Sequence, residues 1–65
     1  MRNKIAHHLA RKALNSIEIG KPIIVADLTV LFKNEDGTWS VCDNGEEVIC
    51  HSQAEVIRIV IENLA

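Results

Sequence analysis

The dipeptide Asn44-Gly45 restricts this chain more than any other feature. Both residues tolerate a positive φ, and they sit between two apolar-alternating runs, so they ask for a two-residue type I′ hairpin turn. That turn fixes a register. Thr38 to Asp43 and Glu46 to His51 become antiparallel strands, with Asp43 facing Glu46, Cys42 facing Glu47, Val41 facing Val48 and Trp39 facing Cys50.

Upstream, residues 23–33 (IIVADLTVLFK) read as one further strand. Asn34-Glu35-Asp36-Gly37 is a second turn signal. Taken as a four-residue loop, it sets Phe32 opposite Trp39 and Val30 opposite Val41. The two registers agree. Both put Leu28, Val30, Phe32, Trp39, Val41, Val48 and Cys50 on a single face, the expected core. The other face is expected to carry Asp27, Thr29, Leu31, Thr38, Ser40, Cys42, Glu47, Ile49 and His51, with Ile23 and Val25 beside them.

Helices are expected on both sides of this meander. Ile5, Ala6, Leu9, Ala10, Ala13, Leu14 and Ile17 recur at steps of three and four, which predicts an amphipathic helix over 2–18. Gly20-Lys21-Pro22 ends it. Ser52-Gln53-Ala54-Glu55 has the spacing of a capping box, and residues 53–64 continue as a helix with Glu55, Arg58 and Glu62 in an outer stripe. The β-branched run Val56 to Ile61 also suits a fourth strand, but the cap and the charge spacing favour the helix. The expected fold is a two-layer α+β domain over residues 1–65. Its order is helix, three-stranded antiparallel β-meander, helix (αβββα), with both helices on one face of the sheet.

Sixty-five residues exclude large catalytic folds. A chain of this size buries only about 60% of its unfolded surface, which leaves little spare stability for a deep pocket. Phe32 and Trp39 are the only aromatic residues, too few for a base-stacking platform. Two cysteines do not make a disulfide scaffold, and the N-terminus lacks the apolar core of a secretion signal. A cytoplasmic location and no membrane partner are expected.

Catalytic and metal chemistry find little support. The three glycines lie far apart and form no phosphate loop. His7 and His8 are adjacent, about 100° apart on a helix, and do not chelate one ion together. Cys50 faces the core whereas Cys42 and His51 share the other face, which argues against a zinc site and against a Cys42–Cys50 disulfide. Cys42 with His51 is the nearest approach to a nucleophile–base pair, but Cys42 faces Glu47, and a negative neighbour makes a thiol less reactive. No cofactor and no enzymatic activity are expected.

Binding is better supported. Leu31, Ser40 and Ile49 line up as a row on the outer sheet face, and Ile59 lies beyond the apolar arc of the second helix on the flank of Val56. Leu31, Ile49, Val56 and Ile59 are thus candidate protein-contact residues. Charge is also split. Residues 1–21 hold five cations and one anion, residues 22–65 two cations and eight anions. Lys4, His7, His8, Arg11 and Lys12 form a basic face on the first helix. Glu35, Asp36, Asp43, Glu46 and Glu47 make the hairpin ends acidic. The reading these features favour is a non-enzymatic protein–protein interaction module (an adaptor, accessory subunit or inhibitor). It would self-associate, as a homodimer, through the second helix or the outer sheet face. The alternative is a nucleic-acid-binding regulator that uses the basic face, against which stands a pI of about 5.8. The order of elements is common to many small proteins and points to no family.

Overall fold

A computed structural model describes the backbone of residues 2–26 and 29–64. In it, helix α1 (Arg2–Ser16) leads into four strands and a closing helix, α2 (Gln53–Leu64). The strands are β1 (Ile23–Ala26), β2 (Thr29–Lys33), β3 (Trp39–Asp43) and β4 (Glu46–Cys50). They form one antiparallel sheet in the order β1-β2-β3-β4. The fold is therefore α+β, as expected, but with four strands and not three.

The extra strand arises because residues 23–33 fold back on themselves. Ile23 pairs with Leu31, Ile24 with Val30 and Ala26 with Thr29. One extended strand of that length would reach about 36 Å, whereas five-residue partners span about 17 Å. Half of it would have had no neighbour, and folding back pairs both halves. Asp27 and Leu28, assigned above to opposite faces, lie outside the described residues.

The β3–β4 hairpin has the expected register throughout, with Asn44 at φ 51° and Gly45 at φ 88°. These values are those of a type I′ turn. The β2–β3 hairpin differs from expectation by one residue. Lys33 pairs with Trp39, Phe32 with Ser40, Leu31 with Val41 and Val30 with Cys42. The Asn34 N–H donates to the Thr38 carbonyl at 2.9 Å, so the loop is the three residues Glu35, Asp36 and Gly37, with Gly37 at φ 89°. A turn followed by a left-handed glycine is the usual three-residue hairpin, not the four-residue one assumed from sequence.

A one-residue slip sends every side chain to the opposite face. Leu31 becomes fully buried and Thr29 nearly so, while Phe32 is exposed and Val30 half-buried. Val25 and Ile23 likewise turn inward. The expected core face was thus correct for β3 and β4 and inverted for the first half of the sheet.

Both helices cover the inward face. Leu31, Val41, Cys50 and Val25 form one buried cluster with Ala6, Ala10, Ala13, Leu14 and Ile17 of α1 and its continuation, and with Val56 and Val60 of α2. Ala6 and Ala10 are fully buried. Their small side chains let α1 and α2 approach closely, and this is the most extensive helix contact in the molecule. The thinnest dimension, 18 Å, fits one sheet plus one helix layer.

The ends of α2 follow the sequence. The Glu55 N–H donates to Ser52 Oγ at 3.2 Å, and Glu55 Oε2 accepts from the His51 N–H at 3.2 Å. This is a capping box whose return bond lands one residue early. Helix α1 stops at Ser16, two residues short of expectation. Ser16 Oγ donates to the Lys12 carbonyl at 2.9 Å, and a turn from Glu18 to Lys21 with Gly20 at φ 82° leads the chain into β1.

Candidate interaction surfaces

With both helices on the inner face, the outer face of the sheet is left uncovered by them. The registers place Ile24, Val30, Cys42 and Glu47 in one row across it, and Phe32, Ser40 and Ile49 in the next. Ile24 is 71% exposed, Ile49 46% and Phe32 36%. Exposed apolar residues are ordinary when scattered, but here they sit on adjacent rows of one sheet face.

Polar groups on this face are held in place. Ser40 is buried between Phe32 and Ile49, and its Oγ accepts from Asn34 Nδ2 at 3.0 Å. The same amide donates to Thr38 Oγ1 at 3.0 Å, and that hydroxyl donates to Asp36 Oδ1 at 2.6 Å. The Thr38 N–H adds a second bond to Asp36 Oδ1 at 3.0 Å. These bonds hold the Asp36 carboxyl below the ordinary carboxylate pKa, the Thr38 hydroxyl contributing most. The loop that sets the β2–β3 register is thus stitched to the outer face through its side chains.

Carboxylates flank the face at both ends of the sheet. Glu35 and Asp36 sit in the β2–β3 loop, and Glu47 lies on this face beside the β3–β4 turn. Asp43 and Glu46 alternate to the helix side, where Thr29 Oγ1 donates to Asp43 Oδ1 at 3.1 Å. The outer face is therefore an apolar patch between two acidic rims.

The residues expected to make contacts fall into different places. Ile49 is exposed on the outer face. Leu31 is not on that face at all; it is fully buried under the helices, as the register shift requires. Val56 is also fully buried, between α2 and the sheet. Ile59 is half-exposed and packs against the edge of the core. Phe32 and Ile24 were missed by sequence reasoning. Gly37, read as the left-handed residue of a three-residue loop, was the signal that would have turned Phe32 outward.

Lys4, His7, His8, Arg11 and Lys12 are all exposed on α1. Lys4, His8 and Arg11 lie along the side opposite the buried alanines. His7 instead borders a shallow groove with Ala54, Ile57 and Ile61 of α2. Lys12 borders a cleft of about 260 Å³ between α1 and β1, with Leu9, Ile23 and Ile24. The expected basic face is therefore divided among three surroundings.

Both cysteines are free thiols. Cys50 is in the core, where burial and then the Glu55 charge push its thiol pKa up. Cys42 lies on the outer face between Val30 and Glu47. Among the described residues, no group of three or more His, Cys, Asp or Glu side chains is arranged to hold a metal ion. No helix there is long and apolar enough to cross a membrane.

The class that this geometry defines is a small two-layer α+β protein with one sheet face open. The chain matches no family model, no curated protein and no solved structure.

Proposed function

We propose that the protein is a non-enzymatic interaction module that binds another protein through the outer face of its sheet. The observation that carries this reading is the exposure of Ile24, Phe32 and Ile49 on adjacent rows of a face that neither helix covers. Chains of this size have little apolar residue to spare, so large side chains outside the core are explained by a contact. The acidic rims select the partner's chemistry: an apolar patch flanked by lysines or arginines. Cys42 lies across the strands from Val30 and Glu47, and a negative neighbour makes a thiol less reactive, so the face offers area and not a reacting pair.

The test is affinity capture from source lysate with the wild type and two charge variants, Ile24→Lys and Phe32→Lys, whose folding is checked by circular dichroism. A protein retained by the wild type and lost from both variants is the expected result. Retention by all three would remove the outer face from consideration. Nucleic acid retained in a salt-dependent manner, and lost on Lys4→Glu with Arg11→Glu, would assign the function to α1 instead.

A further inference from the structure

The sheet has two edges, and they are built differently. β1 follows Pro22, spans four residues and carries an irregularity between Ile24 and Ala26. Short strands, prolines and bulges are ordinary guards against edge-to-edge pairing. β4 has no proline and no bulge. Its register with β3 is unbroken from Glu46 to Cys50, and every residue but Cys50 is exposed.

The Asn44-Gly45 turn decides which backbone groups point off this edge. In a two-residue hairpin, Asp43 and Glu46 exchange the hydrogen bonds that close the turn. Alternation then gives the same role to Val41 with Val48 and to Trp39 with Cys50. The N–H and C=O groups of Glu47 and Ile49 therefore point away from β3. The next N–H in that outward row, of His51, is already donated to Glu55 Oε2.

Apolar side chains accompany the edge on its helix side. Val48 is 42% exposed, whereas its neighbour Val41 on the same face is fully buried. α2 lies over β3 and β4, and its Ile57 and Ile61 border the groove toward α1. Ile59 is about 160° around the helix from Ile57, on the flank away from α1. It is half-exposed there. Val48 and Ile59 thus occupy the same side of the molecule as the open edge.

We propose that β4 pairs antiparallel with β4 of a second copy of this chain, about a twofold axis through Val48. Glu47 then faces Ile49 of the second copy and Ile49 faces its Glu47. All the outward groups of those two residues are satisfied by four N–H···O=C bonds. Val48 faces its own counterpart as a non-hydrogen-bonded pair, with Cα atoms about 4.5 Å apart. Glu46 faces Cys50, and no glutamate faces a glutamate. Each neighbouring register loses on one of these counts. Moving the axis to Ile49 requires the His51 N–H that Glu55 holds, and moving it to Glu47 sets two glutamates face to face. The contact is isologous and closed, and it joins two sheets into one of eight strands with α2 and its twin beside the axis. It goes beyond the binding role proposed for the outer face, which stays open in the dimer.

Sedimentation of the wild-type chain over a wide concentration range tests this, together with Val48→Lys and Val48→Glu. The wild type is expected to dimerise. Each variant alone is expected to lose the dimer while keeping its circular dichroism spectrum, because two like charges meet on the axis. An equimolar mixture of the two variants should recover a dimer, because lysine then faces glutamate. A wild type that is monomeric throughout, a Val48→Lys dimer as strong as wild type, or a mixture that stays monomeric overturns the proposal. So does a dimer lost on Phe32→Lys and kept in Val48→Lys, which would move self-association to the outer face. Amide exchange in the wild type gives a readout without any substitution. The Glu47 and Ile49 amides should be slow when concentrated and fast when dilute, and fast exchange at every concentration overturns the pairing. Partner capture through the outer face should survive Val48→Lys, so each proposal can fail without the other.

Discussion

Asp36 shows how one exposed carboxylate organises a loop. It accepts two bonds from Thr38, from the N–H and from the hydroxyl, and these lower its pKa from the ordinary value. A carboxyl with a depressed folded-state pKa adds stability that is present above its unfolded value and lost as the pH falls through the folded value. Thr38→Val removes the hydroxyl bond and keeps the N–H bond. Titration of the Asp36 carboxyl by NMR should therefore show its pKa rising toward, but not reaching, the ordinary value; an unchanged pKa would mean the hydroxyl bond is unimportant. The two thiols differ as sharply. Cys50 is buried with a raised pKa, and Cys42 is partly open on the outer face. Since the thiolate is the reactive form, an alkylating reagent at neutral pH should label Cys42 first and reach Cys50 only as the chain unfolds. Equal labelling rates would contradict the placement of Cys50 in the core.

At the scale of elements, β2 is where sequence and structure part. Both helices, the β3–β4 register and the capping box follow from local chemistry that sequence displays directly: helical periodicity, Asn-Gly, and Ser52 with Glu55. β2 depends on a loop whose length the sequence leaves open. Asn34 to Gly37 serves a four-residue loop as well as the three-residue one found, and the apolar content of 23–33 does not choose, because Val30 and Phe32 are as hydrophobic as Leu31 and Val25. The hairpin between β1 and β2 was equally hidden, since no glycine or proline marks residues 26–29. The contact residues inherited the error: Leu31 was placed outside and Phe32 inside. Urea denaturation separates the two registers. Leu31→Ala is expected to cost about 2–5 kcal/mol, as deletions in packed cores do. Phe32→Ala should cost much less despite the larger side chain. The reverse order would restore the four-residue loop.

The whole molecule is a thin sandwich with a single core and helices on one side of it. Such a body has little stability in reserve, and association is a ready source of more. Pairing through β4 links folding to concentration, because a partner that binds only the folded form raises the unfolding midpoint by mass action. The wild-type thermal midpoint should therefore rise with protein concentration, and that of Val48→Lys should not. The surface ion pairs, Lys21 with Glu18 and Arg58 with Glu62, are solvent-exposed and add little to this balance. The three-residue loop at Glu35 to Gly37 has a last consequence, for how such a chain can change over generations. Loss or gain of a single codon there would exchange interior for exterior along β2, trading Phe32 for Leu31 on the outside. An insertion or deletion at a surface loop, commonly the mildest of lesions, would in this chain rewrite both the core and the face that meets a partner.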